Sequence, residues 1–279
     1  MMKKIVFPTD FSSAAENAFL YALDLTKTLG AELTLLHVYE LPELGRSLKT
    51  TTKEVYEMME MEALENFQKS VKRLRTIANE HDGASVAFSH QMVEGETVYS
   101  ITHFAKKNNT DLIVMGTTGA TGLKEVFLGS VASGVIDDAS CCVLSVPQEA
   151  TFDKIEKVAY LSNYKQEEVG AFTTIASFAN NFGASVNCVH YAEEGTNLDV
   201  EARDNWLKMI DASIDSPCCE VITGTSFEEA LIAYQKREDI DVLAVQPRKK
   251  TFFSRLFSKS VSKAVAHHLH TPLFTLPKL

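Results

Sequence analysis

Short apolar runs alternate with longer amphipathic segments along the first 150 residues. The runs predict five strands, at Ile5–Phe7, Leu33–Tyr39, Ser85–His90, Leu112–Met115 and Val143–Val146. Between them, apolar residues recur every three or four positions, which predicts helices. Ser13 and Glu16 have the spacing of a capping box at the start of the first helix. Alternating strands and helices favour an α/β fold with a doubly wound parallel sheet, in which the first and fourth strands are neighbours.

The second half of the chain repeats the pattern of the first. Leu29–His37 resembles Phe182–His190 at an offset of 153 residues. Asp111–Val114 resembles Asp241–Ala244 at an offset of 130 residues. The sequence therefore predicts two tandem five-stranded domains, at residues 1–148 and 153–279.

Composition excludes several classes of protein. The 279 residues carry a net charge of −10, which disfavours general binding to nucleic acid or to anionic membrane. No apolar run approaches the roughly 20 residues that cross a bilayer, and the first residues lack the apolar core of a secretory signal. We therefore expect a cytoplasmic protein. The five cysteines have no CxxC spacing, which favours reduced thiols over a disulfide framework or a zinc site.

The segment from Gly116 to Val131 carries the candidate chemistry. It contains four glycines and four hydroxyl residues, and Gly129 and Ser130 open a predicted helix. Glycines allow close approach of backbone amides, and a helix N-terminus favours a phosphate. The segment lacks the Gly-Lys-Ser/Thr ending of a P-loop and is not a GxGxxG motif. Its spacing alone leaves open a phosphate site or a flexible surface loop.

The pattern Gly116-x2-Gly119-x9-Gly129-Ser130 resembles the ATP-binding signature of the universal stress protein family. The opening Ile-Val-Phe-Pro-Thr-Asp-Phe-Ser segment and the closing Val-Leu-Ser-Val-Pro segment agree with that family. The resemblance covers the whole chain as a tandem pair. It implies a Rossmann-like fold of the adenine nucleotide alpha hydrolase type, with ATP in the N-terminal domain and Mg²⁺ shared by the phosphates.

The same resemblance implies individual roles. Asp10 would lie near the ribose or adenine, Val38 would offer backbone groups to adenine, and Gly129 and Ser130 would surround the phosphates. The full set of implied ATP-binding residues is Pro8, Thr9, Asp10, Val38, Met115, Gly116, Gly119, Gly129, Ser130 and Val131. For Thr9 and Asp10, capping of the following helix is the alternative interpretation.

The second copy lacks the glycines of this signature. Gln246, Lys249 and Lys259 stand at the positions of Gly116, Gly119 and Gly129, and Asn163 replaces Asp10. Side chains at those positions obstruct close backbone approach, so we expect no ATP site of the family type in this copy. Residues 248–263 are basic and interleaved with phenylalanines, which indicates either an anionic ligand or a degenerate loop that packs on the protein.

The leading hypothesis is a cytoplasmic, ATP-binding stress-response or regulatory protein. Its two domains would pair within the chain, and a homodimer and an unidentified protein partner are further expectations. A slow ATPase, or another nucleotide-dependent enzyme of the same fold, is one alternative. A structural domain pair without nucleotide is the other.

Overall fold

The computed structural model describes residues 2–41, 52–81, 86–117, 128–193, 200–210, 214, 217–247 and 271–278. Within these residues, ten strands form one sheet. The strands are β1 (Lys4–Pro8), β2 (Glu32–Tyr39), β3 (Phe88–Glu94), β4 (Leu112–Gly116), β5 (Cys142–Val146), β6 (Lys157–Leu161), β7 (Ser185–Glu193), β8 (Cys218–Gly224), β9 (Val242–Val245) and β10 (Leu273–Thr275). The helices are α1 (Ser13–Leu29), α2 (Thr52–Glu80), α3 (Thr97–Lys107), α4 (Ser130–Asp138), α5 (Val169–Asn180), α6 (Val200–Met209) and α7 (Phe227–Glu238).

The strand order confirms the predicted doubly wound topology. The order along the sheet is β3-β2-β1-β4-β5-β10-β9-β6-β7-β8, so each half contributes five strands in the same relative order. β1 pairs with β4 in parallel, as predicted, and β6 pairs with β9 in the same way. The sequence did not predict that the two five-stranded sheets join edge to edge into one.

The junction between the halves is an antiparallel pair of β5 and β10. Leu144 lies opposite Phe274, and both side chains are fully buried. These two residues are equivalent at the offset of 130 residues, so an approximate twofold axis passes between them. Because every other strand pair is parallel, the carboxyl ends of the strands in one half point opposite to those in the other.

Apolar cores cover both faces of the sheet. On one face, α1, α2, α5 and α6 contribute residues such as Phe19, Phe67, Phe172 and Trp206. On the other face, α3, α4 and α7 contribute residues such as Ile101, Val135 and Tyr234. Burial on both faces explains why β4 and β5 read as continuous apolar runs.

Equivalent residues in the two halves make equivalent hydrogen bonds. The Asp111 carboxylate accepts from the amides of Lys3 and Lys4 at 2.8 and 2.9 Å. The Asp241 carboxylate accepts from the amides of Glu156 and Lys157 at 2.7 and 2.9 Å. In each half, this aspartate holds the start of β4 or β9 beside the start of the central strand.

Two local predictions differ from the structure. The third strand lies at Phe88–Glu94 rather than at residues 85–90. It is a sheet edge of polar composition, and its position is fixed by pairing with β2, where Leu33 lies opposite Phe88. The cap of α1 is Ser12 rather than Ser13, and its hydroxyl accepts from the Ala15 amide at 3.3 Å.

Replacing Ser12 with alanine is expected to lower the free energy of unfolding by about 1 kcal/mol, because an early amide of α1 loses its acceptor. Ser13→Ala is the matched control. Ser13 is exposed and lies inside the first turn, so that substitution is expected to change stability by less than about 0.5 kcal/mol. Urea unfolding followed by circular dichroism measures both. Equal effects of the two substitutions would contradict the assignment of the cap.

Candidate functional site

A cavity of about 390 Å³ opens at the carboxyl ends of β1, β2 and β4, where the direction of winding reverses. This is where open α/β sheets bind ligands, and the volume lies within the range of small-molecule sites. The residues that line it are Pro8, Thr9, Asp10, Ala15, Leu36, Val38, Thr97, Ile101, Met115, Gly116, Thr117, Gly129, Ser130, Val131 and Ala132.

The end of β2 gives the cavity an apolar wall. Side chains on a strand alternate between faces, so Leu36 and Val38 face the cavity while His37 lies on the other side. The His37 Nδ1–H donates to the Thr9 carbonyl oxygen at 2.8 Å. The His37 ring also lies against Phe11, with ring centroids 4.8 Å apart. His37 thus holds the turn after β1 in place without entering the cavity.

The turn between β1 and α1 is held by its own side chains. The Thr9 hydroxyl accepts from the Phe11 amide at 3.0 Å, and the Asp10 carboxylate accepts from the Ser12 amide at 3.0 Å. Phe11 has a φ of 60°, a left-handed conformation that these local hydrogen bonds support. Thr9 and Asp10 therefore stabilise the turn but do not cap α1, because the cap is Ser12. The exposed Asp10 side chain also lies at the cavity.

The start of α4 supplies backbone donors to the cavity. The first hydrogen bond within α4 runs from the Ser133 amide to the Gly129 carbonyl, so the amides of Ser130, Val131 and Ala132 have no acceptor within the helix. The Gly129 amide donates instead to the Thr117 carbonyl at 2.6 Å. This bond joins the two ends of the glycine-rich segment where it leaves β4 and enters α4.

Gly129 has a φ of −60°, which any residue can adopt. The backbone conformation of Gly129 therefore does not explain why the Gly116-x2-Gly119-x9-Gly129-Ser130 pattern has glycine at this position. Glycine places no side chain at the cavity wall, beside the first amides of α4, which have no acceptor within the helix.

Nine of the ten residues predicted to surround ATP line this cavity. They come from four places in the chain: the ends of β1, β2 and β4 and the start of α4. Gly119 lies outside the described residues, as do residues 118–127 around it. The sequence did not single out Ala15, Leu36, Thr97 or Ile101, because small and apolar residues inside helices and strands carry no local signal of a cavity.

Within the described wall of the cavity, one ionisable side chain and one helix N-terminus contribute to the electrostatics. Among the described lining residues, Asp10 is the ionisable one, and the positive end of the α4 dipole lies across from it. No group of three or more His, Cys, Asp or Glu side chains that could hold a metal ion occurs in the described parts of the chain.

In the second half, a buried carboxylate occupies the position that corresponds to Ala15. Glu168, at the position of Ala15, is buried, and its Oε2 accepts from the Ser162 hydroxyl at 2.8 Å. The same oxygen accepts from the amides of Asn163 and Lys165 at 3.0 and 3.2 Å. A carboxylate that accepts three hydrogen bonds therefore occupies the turn after β6, and no local sequence pattern indicates it.

Gln246, at the position of Gly116, is partly buried and its side-chain amide donates to the Pro277 carbonyl at 3.4 Å. Lys249, Lys259 and the rest of the basic segment at 248–263 lie outside the described residues.

Comparison with known proteins identifies the family. Residues 1–147 match the sequence profile of the universal stress protein family, and this chain belongs to that family. Universal stress protein MJ0531 of Methanocaldococcus jannaschii is 37% identical over 147 residues, which span 52% of this chain and 82% of that protein. Universal stress protein YxiE of Bacillus subtilis is 31% identical over 153 residues, which span 52% of this chain and 99% of that protein.

A solved structure matches the fold over the full length. A universal stress protein from Archaeoglobus fulgidus DSM 4304 superposes with a TM-score of 0.70 at 20% identity, over 98% of this chain and 97% of that one. This similarity supports the Rossmann-like fold of both halves. Separately, no helix in the described residues is long and apolar enough to cross a membrane.

Close packing of α3 on α4 positions the start of α4. A Cβ on Gly134 would lie 2.8 Å from Cγ2 of Val98. Gly134→Ala is expected to lower the free energy of unfolding by about 1 kcal/mol, because overpacking outweighs the gain in helix propensity. In a Val98→Ala background the obstruction is gone, so the same change is expected to stabilise by up to about 1 kcal/mol.

Urea unfolding of the four proteins of this double-mutant cycle measures the coupling between the two positions. If Gly134→Ala changes the free energy of unfolding in the same direction in both backgrounds, the contact with Val98 is not what disfavours a side chain at residue 134.

Proposed function

We propose that residues 1–148 form an ATP-binding domain and that residues 153–279 form a degenerate copy that binds no ATP. The protein then acts as a cytoplasmic stress-response regulator. Membership of the universal stress protein family supports the stress-response role. Nucleotide binding shifts the population of a conformation that a protein partner recognises.

One observation carries the proposal of a nucleotide site. Residues implied by the family signature, from four separate places in the sequence, line a single cavity at the switch point of the sheet. The apolar wall at Val38 suits a base, and the amides of Ser130, Val131 and Ala132, which have no acceptor within α4, suit a phosphate. Asp10 is placed to accept hydrogen bonds from ribose hydroxyls.

Mg²⁺ fits this site only as an ion shared with the phosphates. Mg²⁺ prefers oxygen ligands and keeps several waters, and it commonly binds through one or two carboxylates and substrate phosphates. Asp10 is the carboxylate among the described lining residues. The ion would neutralise phosphate charge, while the amides of α4 and the Thr117 hydroxyl orient the phosphates.

The described residues favour regulatory binding over hydrolysis as the main activity. Phosphoryl transfer to water needs a group that positions the attacking water and groups that stabilise the transferring phosphoryl. The described lining residues offer Asp10, whose carboxylate already accepts from the Ser12 amide, and they contain no lysine, arginine or histidine. The alternatives of a slow ATPase and of another nucleotide-dependent enzyme of the same fold therefore have no specific observation in their favour among the described lining residues.

Isothermal titration with MgATP is expected to give one site per chain. A second arm with EDTA measures the share of affinity that the cation supplies. Mass spectrometry of denatured, freshly purified protein detects nucleotide that copurifies. Two equivalent sites per chain would contradict the proposal, and no binding at all would favour a structural domain pair.

Ala15→Glu transfers the carboxylate of Glu168 to the equivalent place in the first half. We expect it to weaken ATP binding by tenfold or more, because a carboxylate near the phosphates at an effective dielectric constant of about 20 costs more than 1.4 kcal/mol. Ala15→Gln has nearly the same size without the charge and is the matched control. Equal loss of affinity in both variants would indicate steric blocking and contradict the electrostatic explanation.

A further inference from the structure

Two cysteines lie side by side in the second half of the sheet. Cys188 on β7 and Cys219 on β8 are register partners in adjacent parallel strands. Both contribute to the apolar cluster on the same face of the sheet. Neighbouring strands lie about 4.8 Å apart, which is inside the Cα–Cα range of about 4.4–6.8 Å that a disulfide requires. The backbone therefore brings these thiols within reach of one another, although they are far apart in the sequence.

The two sulfurs have different surroundings. Cys188 is fully buried, whereas Cys219 is partly exposed on β8, the edge strand of the sheet. The neighbouring Cys188 thiol lowers the pKa of Cys219 to about 7. Partial burial opposes this shift, while the Tyr164 hydroxyl and the charge of Arg203 add to it. Burial raises the pKa of Cys188 well above its usual range. One sulfur is thus accessible and readily ionised, and its neighbour keeps its proton.

The fold itself does not require sulfur at these places. The equivalent register partners in the first half are Leu35 on β2 and His90 on β3. Leu35 is fully buried like Cys188, so an aliphatic side chain satisfies the packing there. The thiol pair is therefore a property of the second half alone, and it is independent of the proposed ATP site.

We propose that Cys188 and Cys219 are a redox pair that forms a reversible disulfide when the protein meets a hydroperoxide such as hydrogen peroxide. The Cys219 thiolate attacks one peroxide oxygen, the O–O bond breaks, and Cys219 becomes a sulfenic acid as hydroxide leaves. The Cys188 sulfur then attacks the Cys219 sulfur, the S–O bond breaks, and water leaves with the Cys188 proton. Two thiols lose two electrons and two protons, and one peroxide becomes two waters.

Reduction by a dithiol reverses the reaction through thiol–disulfide exchange. The edge position of β8 assists closure of the bond, because that strand has a sheet neighbour on one side only. The sole tryptophan, Trp206, lies beside Tyr164 with ring centroids 5.7 Å apart, and Tyr164 in turn interacts with Cys219. Its fluorescence therefore reports on this part of the core.

The test treats the full-length, reduced protein with a modest molar excess of hydrogen peroxide. Free thiols titrated after unfolding are expected to fall from five to three, and peptide mapping is expected to find Cys188 linked to Cys219. Dithiothreitol is expected to restore all five thiols. Cys218→Ser is the matched control, because Cys218 is exposed and adjacent in sequence but projects from the opposite face of β8. This variant is expected to form the same disulfide.

Variants of the pair separate the two steps. Cys219→Ser is expected to abolish the disulfide, and Cys188→Ala is expected to stop at a Cys219 sulfenic acid that dimedone traps. The peptide map of the wild-type protein decides the matter even where a core variant fails to fold. Five thiols that survive the peroxide, a linkage through Cys218, or a disulfide found only between two chains would each overturn the proposal.

Discussion

The antiparallel pairing of β5 with β10 is the constraint on which the rest of the structure depends. β5 is buried along its whole length, so an unpaired β5 would be an apolar sheet edge open to other chains. β10 covers it, and Phe274 packs on Phe178 of α5 with ring centroids 4.6 Å apart. The same pairing fixes the orientation of the halves. Their strands run in opposite directions, so the cavity of the first half and the turn closed by Glu168 lie at opposite ends of the sheet.

Further contacts across the junction connect the second half to the elements of the cavity. Lys278, just after β10, donates to the Asp137 carboxylate of α4 at 2.6 Å. The side-chain amide of Asn17 on α1 donates to the carbonyls of Pro147 and Ala150 in the connecting segment at 3.2 and 2.7 Å. Since α1 and α4 both begin at the cavity, the connecting segment supports α1 and the second half supports α4 at places away from the lining residues.

The sequence predicts the order of elements well because buried parallel strands and amphipathic helices have clear patterns. It locates β3 poorly, because Ser89, His90 and Gln91 are exposed at the sheet edge and have no apolar pattern. Within the cavity, the family signature identifies residues at strand ends but not Ala15. The role of Ala15 in leaving space at the cavity is apparent only from comparison with Glu168, the larger residue at the equivalent position. The pairing of Cys188 with Cys219 depends on register between distant strands, and no local spacing encodes it.

The two halves differ in which constraints each one keeps. Both keep the turn after the central strand: the Ser162 carbonyl accepts from His190 Nδ1 at 2.9 Å, as the Thr9 carbonyl accepts from His37, and Tyr164 has a φ of 55°. These contacts hold the fold and tolerate little change. Ala15 has no such structural role, because a glutamate fits at the equivalent position of the second half and accepts hydrogen bonds from three donors of the turn. The second half therefore differs from the first at the position of Ala15, but it retains β10, which covers the apolar edge that the first half would otherwise expose at β5.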